Sequence, residues 1–315
     1  MKQFTQVADL PNLEVAIQEA ITVKKAPFIH QHLGKNKTLG LVFMNPSLRT
    51  RLSSQVAGQN LGMSVIVLNI TKEGWQLETQ DGVVMNGDKA EHVKDAIGVI
   101  GQYVDILGVR SFPKLENAQE DYSEKILLDF VKYAGVPVVS LESATRHPLQ
   151  SFADVLTIEE HKKIAKPKVV LTWSPHPRAL PQAVPNSFAE WMNAMDYEFV
   201  ITHPKGYELH EAFTQNAKIE YDRQKAFEGA DFIYAKNWSS FHDYGKILSQ
   251  DATWTVDQKS MQWTNQAHFM HCLPVRRNVI VTDDVIDSPQ SLILEQAKNR
   301  TISMQTILKR MLENL

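Results

Sequence analysis

In Phe43-Met44-Asn45-Pro46-Ser47-Leu48-Arg49-Thr50-Arg51 an apolar run ends in a turn that opens a helix. The preceding residues Thr38 to Phe43 have the length and apolar character of a buried strand, and Thr50 to Leu61 carries helical spacing. A strand that turns directly into a helix start leaves backbone N–H groups pointing at whatever sits over the turn. Those groups favour negative charge, and Ser47, Arg49, Thr50 and Arg51 add two hydroxyls and two cations beside them. A phosphate fits that chemistry. The same residues would also serve an ordinary capped helix with arginine in its first turn, an arrangement that helix electrostatics mildly disfavours.

The chain has 315 residues, 43% of them hydrophobic and 22% charged, with a net charge of -3. That length suits two domains of ordinary size. The charge argues against nucleic acid as a standing partner, so a small ligand is expected. A single cysteine, Cys272, excludes an intrachain disulfide and fits a reducing compartment. Met1 to Gln6 holds no basic region followed by an apolar core, and no stretch approaches the roughly 18 apolar residues of a membrane span. A soluble, cytoplasmic protein is expected.

Spacing predicts a helix over 12–25, and then, after the phosphate turn, a strand over 64–68. Residues 71–89, with Gly74, Gly82, Gly87 and a lone Trp75, read as a long loop. A helix over 91–103, a strand over 105–110, a helix over 122–133 and a strand over 137–141 complete a four-stranded first half. Strand and helix alternate, so a parallel sheet is expected. The first domain is taken as 1–150, with Pro148 to Lys163 a helix that crosses into a second domain, 151–287. That domain has strands over 168–173, 197–202, 231–235 and 267–272, and helices over 208–217 and 222–228. Residues 174–186 contain four prolines and read as a stiff loop at a strand's carboxyl end, where open α/β sheets place ligands. Residues 288–315 read as a long helix that packs back on the first domain. The fold class is α/β with two doubly wound parallel-sheet domains.

Three signatures in order, Ser47-Leu48-Arg49-Thr50-Arg51, His147-Pro148-Leu149-Gln150 and His271-Cys272-Leu273-Pro274, resemble those of the aspartate and ornithine carbamoyltransferases. The resemblance covers nearly the whole chain and is closest to the branch acting on N-acylated ornithine. It implies a chain knot through the proline-rich loop and a carbamoyl phosphate site at Ser47, Leu48, Arg49 and Thr50. It also implies that Thr50, Arg110 and His147 contact the carbamoyl oxygen. Gln150 and the carbonyls of Cys272 and Leu273 would hold the carbamoyl NH2 group, with Pro148, Leu149 and Arg300 alongside. Trp75 would reach a neighbouring subunit's site in a homotrimer. Nothing in the transfer calls for a metal or cofactor. His271-Cys272 has no spaced partners for a metal site, and a small apolar cysteine at a strand end is equally compatible with a backbone role.

Ordinary ornithine carbamoyltransferases carry Ser-Met-Gly where this chain reads Lys236-Asn237-Trp238-Ser239. Lys236 would repel a free α-ammonium but accept the α-carboxylate of an acylated substrate. By resemblance Glu142 would bond near the blocked nitrogen, and His176 and Arg178 would line the acyl end. The acetyl branch has glutamate, and the succinyl branch proline, at the position of Ala90. The absence of an acidic side chain there, together with Arg178 and Arg276, favours N-succinyl-L-ornithine over N-acetylornithine. Either arginine could instead be a surface charge, the tandem Arg276-Arg277 in particular. Outside this chemistry stand a catalytically silent phosphate-ligand sensor and a nucleotide-binding α/β protein, the latter lacking a glycine-rich fingerprint.

Overall fold

The computed structural model describes every residue except 71–73 and 75, so Trp75 lies outside the described residues. The chain divides into two compact units, one of residues 1–113, 120–149 and 300–315, the other of residues 114–119 and 150–299. Both crossings near 150 and 300 fall inside helices, Pro148–His161 and Ile293–Leu312.

In chain order the first unit contributes strands β1 (Gln3–Phe4), β2 (Thr38–Phe43), β3 (Ser64–Asn69), β4 (Leu77–Glu78), β5 (Glu91–His92), β6 (Ile106–Arg110) and β7 (Val138–Glu142). Five of them form a parallel sheet in the order β1-β7-β6-β2-β3. The second unit has β8 (Lys168–Trp173), β9 (Glu198–Thr202), β10 (Lys218–Ile219), β11 (Phe232–Lys236) and β12 (His268–Met270), parallel in the order β10-β9-β8-β11-β12. Each sheet is doubly wound. The chain runs outward from β2 to β3, then returns to place β6 on the other side of β2. In the second unit it runs from β8 through β9 to β10, then returns to place β11 beside β8. Doubly wound sheets place ligands where the winding reverses, which in this chain is at the carboxyl ends of β2 and β6 and of β8 and β11. Phe43, Arg110, Trp173 and Lys236 end those four strands.

The near-continuous burial of β2, β6, β7, β8 and β11 is what a parallel sheet covered on both faces requires. Val42, Leu107 and Val109 pack with Val93, Ile97, Leu127 and Phe130 in the first unit, and Val170, Val200 and Ile233 with Phe227 and Ala230 in the second. The helix Leu13–Lys25 buries Ala16, Ile17, Ala20 and Val23, and the side chain of Asn12 caps it by accepting the Val15 N–H at 3.0 Å. Among the described residues no helix is long and apolar enough to cross a membrane.

Several elements differ from the sequence reading. Each sheet gains a two-residue edge strand, β1 or β10, too short to produce a periodic pattern. The expected helix over 91–103 begins at Val93, because Glu91 and His92 pair with Leu77 and Glu78 inside what read as a plain loop. The helix over 122–133 is broken before Lys125 by Glu124, whose backbone is left-handed at φ 53°. The proline-rich loop ends at Gln182, and Pro185 is the third residue of the helix Ala183–Ala194. An N–H there would have no partner in the helix, so proline loses nothing by lacking it. The expected helix over 208–217 is one turn, Glu211–Thr214.

Gly101 ends the helix Val93–Gly101, and a Cβ on it would lie 1.9 Å from the Ala134 carbonyl oxygen. That neighbour is backbone and cannot rotate away. Gly101→Ala should destabilise the first unit by about 1–3 kcal/mol, read as a lower urea midpoint; an unchanged midpoint would mean that the two helices separate freely.

Candidate active site

Ser47 is the residue before the helix Leu48–Asn60 and has extended backbone, but its hydroxyl does not cap the helix. The first-turn N–H groups over 48–50 therefore receive nothing from the Ser47 side chain. Leu48 is largely exposed, Arg49 half-buried and Thr50 buried. The helix starts two residues earlier than its spacing suggests, which places Arg49 and Thr50 in its first turn. Arg51 points to the exposed side and donates to Asn69 at 3.4 Å.

Behind that turn stand two buried guanidinium groups. Arg300 donates to the Thr50 hydroxyl at 3.3 Å and approaches His147 Nε2 at 3.0 Å. Arginine has only donors, so Nε2 carries the lone pair and the ring proton resides on Nδ1. Glu142 Oε2 lies 3.7 Å from that same nitrogen, and the tautomer makes this a proximity without a charge pair. Arg110 donates to Glu142 Oε2 from Nε at 3.1 Å and from Nη2 at 2.8 Å, while Nη1 serves the carbonyls of Asn45 and Pro46 at 3.0 and 3.1 Å. Four of its five N–H donors thus hold β7 and the entrance to the turn before the helix Leu48–Asn60, and one Nη2 hydrogen remains for a ligand.

Sequence reasoning missed Glu124. Its carboxylate accepts from the Ser143 hydroxyl at 2.6 Å, the Thr145 N–H at 2.8 Å and the Thr145 hydroxyl at 2.5 Å. It thereby shapes the loop that delivers His147. No glycine or proline marks the break, so the spacing around Glu124 gave no signal.

In the second unit Gln150 is buried and donates to Asp154 at 2.7 Å. Leu149, at the end of the first unit, is buried and its carbonyl accepts from Ser303 at 2.9 Å. Pro148 opens the helix, where a missing N–H has no cost. Leu273 is left-handed at φ 54° and donates its N–H to His271 Nδ1 at 2.9 Å, with Cys272 half-buried between them. Among the described residues no group of three or more His, Cys, Asp and Glu side chains could hold a metal ion.

His176 and Arg178 follow β8, and Lys236 ends β11 beside it. His176 Nε2 faces Arg276 Nε at 3.1 Å, and its Nδ1 lies 2.8 Å from the Arg178 carbonyl oxygen and 3.0 Å from the Arg178 N–H. Burial first, and then the charges of Lys236, Arg276 and Arg178, hold its pKa below the ordinary histidine value. The ring is therefore neutral with three cations around it. Among the described residues none of those cations forms an ion pair. Arg277 instead binds Asp283 at 2.7 Å and Asp287 at 2.6 Å. Of the tandem arginines, Arg277 is the paired surface charge and Arg276 faces His176. Ala90 lies on an exposed segment just before β5, next to Lys89, which pairs with Glu78 at 3.2 Å.

Residues 2–160 match the family model of the aspartate/ornithine carbamoyltransferase carbamoyl-P binding domain, and residues 181–311 match that of its Asp/Orn binding domain. The chain is 62% identical to the N-succinylornithine carbamoyltransferase of Bacteroides fragilis, with all of both chains covered. It is 36% identical to the N-acetylornithine carbamoyltransferase of Xanthomonas campestris, over 95% of this chain and 94% of that one. A solved N-acetyl-L-ornithine transcarbamylase, with one glutamate replaced by alanine and complexed with carbamyl phosphate and N-succinyl-L-norvaline, superposes with a TM-score of 0.91. Its sequence is 34% identical, over 99% of this chain and all of that one.

Arg110→Ala releases the Asn45 and Pro46 carbonyls and tests the expectation that this guanidinium donates to developing negative charge. Turnover should fall by about a hundredfold or more, with a smaller change in the KM of the amine acceptor. Steady-state kinetics decide this, and a loss confined to amine binding would remove Arg110 from the reacting centre.

Proposed function

The chain belongs to the aspartate/ornithine carbamoyltransferase family, and from that membership we propose that it transfers the carbamoyl group of carbamoyl phosphate to the δ-amine of N-succinyl-L-ornithine. The products are N-succinyl-L-citrulline and phosphate, in a cytoplasmic step of arginine biosynthesis. Residues 1–150 with the C-terminal helix form the carbamoyl phosphate half, and 151–287 the acylornithine half.

The first turn at Ser47 to Thr50 takes the phosphate on its backbone N–H groups, with Arg49 beside it. The neutral amine attacks the carbonyl carbon and charge develops on the carbonyl oxygen. Thr50 Oγ1, the remaining Arg110 Nη2 hydrogen and His147 Nδ1 are the donors suited to that oxygen, and Arg300 orients Thr50 and His147. Gln150 and the Cys272 and Leu273 carbonyls accept from the NH2 group. Collapse of the tetrahedral species breaks the bond from carbon to the phosphate oxygen, and the departing phosphate takes the proton that the attacking amine loses and stays in the turn suited to an anion. Glu142 Oε1, on the side not bonded to Arg110, is suited to accept from the acylated nitrogen.

The observation that carries the succinyl assignment is the set of Lys236, Arg178 and Arg276 around neutral His176, unpaired among the described residues. An N-acetyl substrate brings one carboxylate to such a set, whereas an N-succinyl substrate brings two. Ala90 supports the same reading, since the acetyl branch has glutamate at that position and a succinyl carboxylate would meet it as a like charge. The 62% identical relative bears the name of the succinyl enzyme.

We also infer a homotrimer. Leu48, Leu52 and Val56 form an exposed apolar stripe on one face of the helix Leu48–Asn60, and Ile66 is exposed on the neighbouring edge strand. A second copy of this chain is the occupant that family membership supplies, and by family resemblance Trp75 would then serve its neighbour's site.

Phosphate release from carbamoyl phosphate should be fast with N-succinyl-L-ornithine and slow with N-acetylornithine or ornithine, compared at equal concentration. Ala90→Glu should move the preference toward the acetyl compound. Faster turnover with acetylornithine would overturn the acyl assignment, and no turnover with any amine would favour a silent phosphate-ligand sensor. In sedimentation the chain should run as a trimer and Leu52→Glu as a smaller species; a monomeric parent would remove the stripe's proposed role.

A further inference from the structure

Asp154 is fully buried in the second unit, four residues after Gln150 on the same helix face. Its Oδ1 accepts two hydrogen bonds, from Gln150 Nε2 and from Gln296 Nε2, each 2.7 Å long. Both donors belong to primary amides, which have an oxygen end and an NH2 end of nearly equal size. A carboxylate oxygen at that distance tolerates only the NH2 end. One carboxyl oxygen therefore sets the direction of two amides.

The consequence is already visible for Gln296. With its NH2 against Asp154, its Oε1 faces the other way and accepts the His271 backbone N–H at 3.0 Å. His271 in turn takes the Leu273 N–H on Nδ1 at 2.9 Å. The backbone from His271 to Leu273 is thus tied to Asp154 through one glutamine and one imidazole. By the same rule Gln150 must turn its carbonyl oxygen away from Asp154. The hydroxyl of Tyr234 lies near the same carboxylate and Cys272, and its ring stacks on Phe188 at 4.3 Å. All four side chains of the relay, Gln150, Asp154, Gln296 and His271, are at most 2% exposed, so water does not compete for these bonds.

We propose that Asp154 is a positioning residue that aims both sets of acceptors for the carbamoyl NH2 group, Gln150 directly and the Cys272 and Leu273 carbonyls through Gln296 and His271. This rests on the carbamoyl transfer reading above. Asp154 touches no reacting atom. Its role is to keep acceptors, rather than an amide NH2, facing a substrate whose distinguishing feature is two N–H donors. Selectivity for carbamoyl over an isosteric acyl group follows, because a site built to accept hydrogen bonds leaves buried acceptors unpaired when the ligand lacks N–H.

Acetyl phosphate is the probe, since it replaces NH2 by CH3 and keeps the phosphate. Dissociation constants for carbamoyl phosphate, acetyl phosphate and inorganic phosphate are measured by calorimetry on the parent chain, Asp154→Leu and Asp154→Asn. The parent should prefer carbamoyl phosphate. Asp154→Leu should lower the carbamoyl-to-acetyl preference by about tenfold or more, with inorganic phosphate binding within about twofold of the parent. Asp154→Asn, which keeps an oxygen acceptor, should fall between them. The ratio is independent of the fraction folded; should Asp154→Leu not fold, Gln296→Leu cuts the second arm alone and should lose part of the preference. In a Gln150→Ala background, Asp154→Leu should cost less than it does alone. A parent chain with no carbamoyl preference would overturn the carbamoyl transfer reading itself. A selective parent whose variants keep the same ratio, or lose inorganic phosphate binding in equal measure, would overturn the role of Asp154.

Discussion

The buried ion pair between Arg110 and Glu142 joins the ends of two neighbouring strands to the turn that opens the helix Leu48–Asn60. Each partner is only 7% exposed, so neither charge is repaid by water, and breaking such a pair typically costs about 3–5 kcal/mol. The guanidinium escapes that cost by satisfying a carboxylate and two backbone carbonyls together. It thereby fixes the entry to the turn proposed to hold the phosphate. Glu142 is held by one oxygen, which orients the other. A group expected from sequence to act on substrate is at the same time the anchor of the turn before the helix Leu48–Asn60.

Charge is distributed differently in the second unit. Lys236, Arg178 and Arg276 gather around an imidazole that burial and their own charges keep neutral. The neighbouring Arg277 is neutralised by two aspartates. Unpaired cations gathered in one place repel one another, and a fold retains them at a cost when a polyanionic ligand offsets the repulsion. Asp154 is the reverse case, one buried carboxylate whose two amide donors satisfy it while it dictates their direction.

Long elements with strong periodicity were readable from the chain. The strands over 38–43 and 168–173 and the helix over 12–25 required only apolar runs and spacing. What was not readable had weak local signals. The two-residue edge strands exist because a neighbouring strand offers an open row of backbone partners, which no pattern within Gln3–Phe4 or Lys218–Ile219 announces. The break at Glu124 is made by a left-handed residue that bonds a loop about twenty positions away. Pro185 was read as excluding a helix, although the first turn of a helix has no use for the N–H that proline lacks.

The amino-acid sequence by itself determined the alternation of strand and helix, the turn from strand to helix between Phe43 and Thr50 and the order of the three signatures, since these depend on residues close together along the chain. Only the tertiary structure decided which arginine of the 276–277 pair is neutralised, which nitrogen of His147 carries the proton, and that Gln150 and Gln296 answer to a single carboxylate. Those outcomes depend on groups separated by up to 153 positions. Which partner a charged or tautomeric side chain meets at that separation is set by sheet order and helix packing, and local sequence carries no record of it.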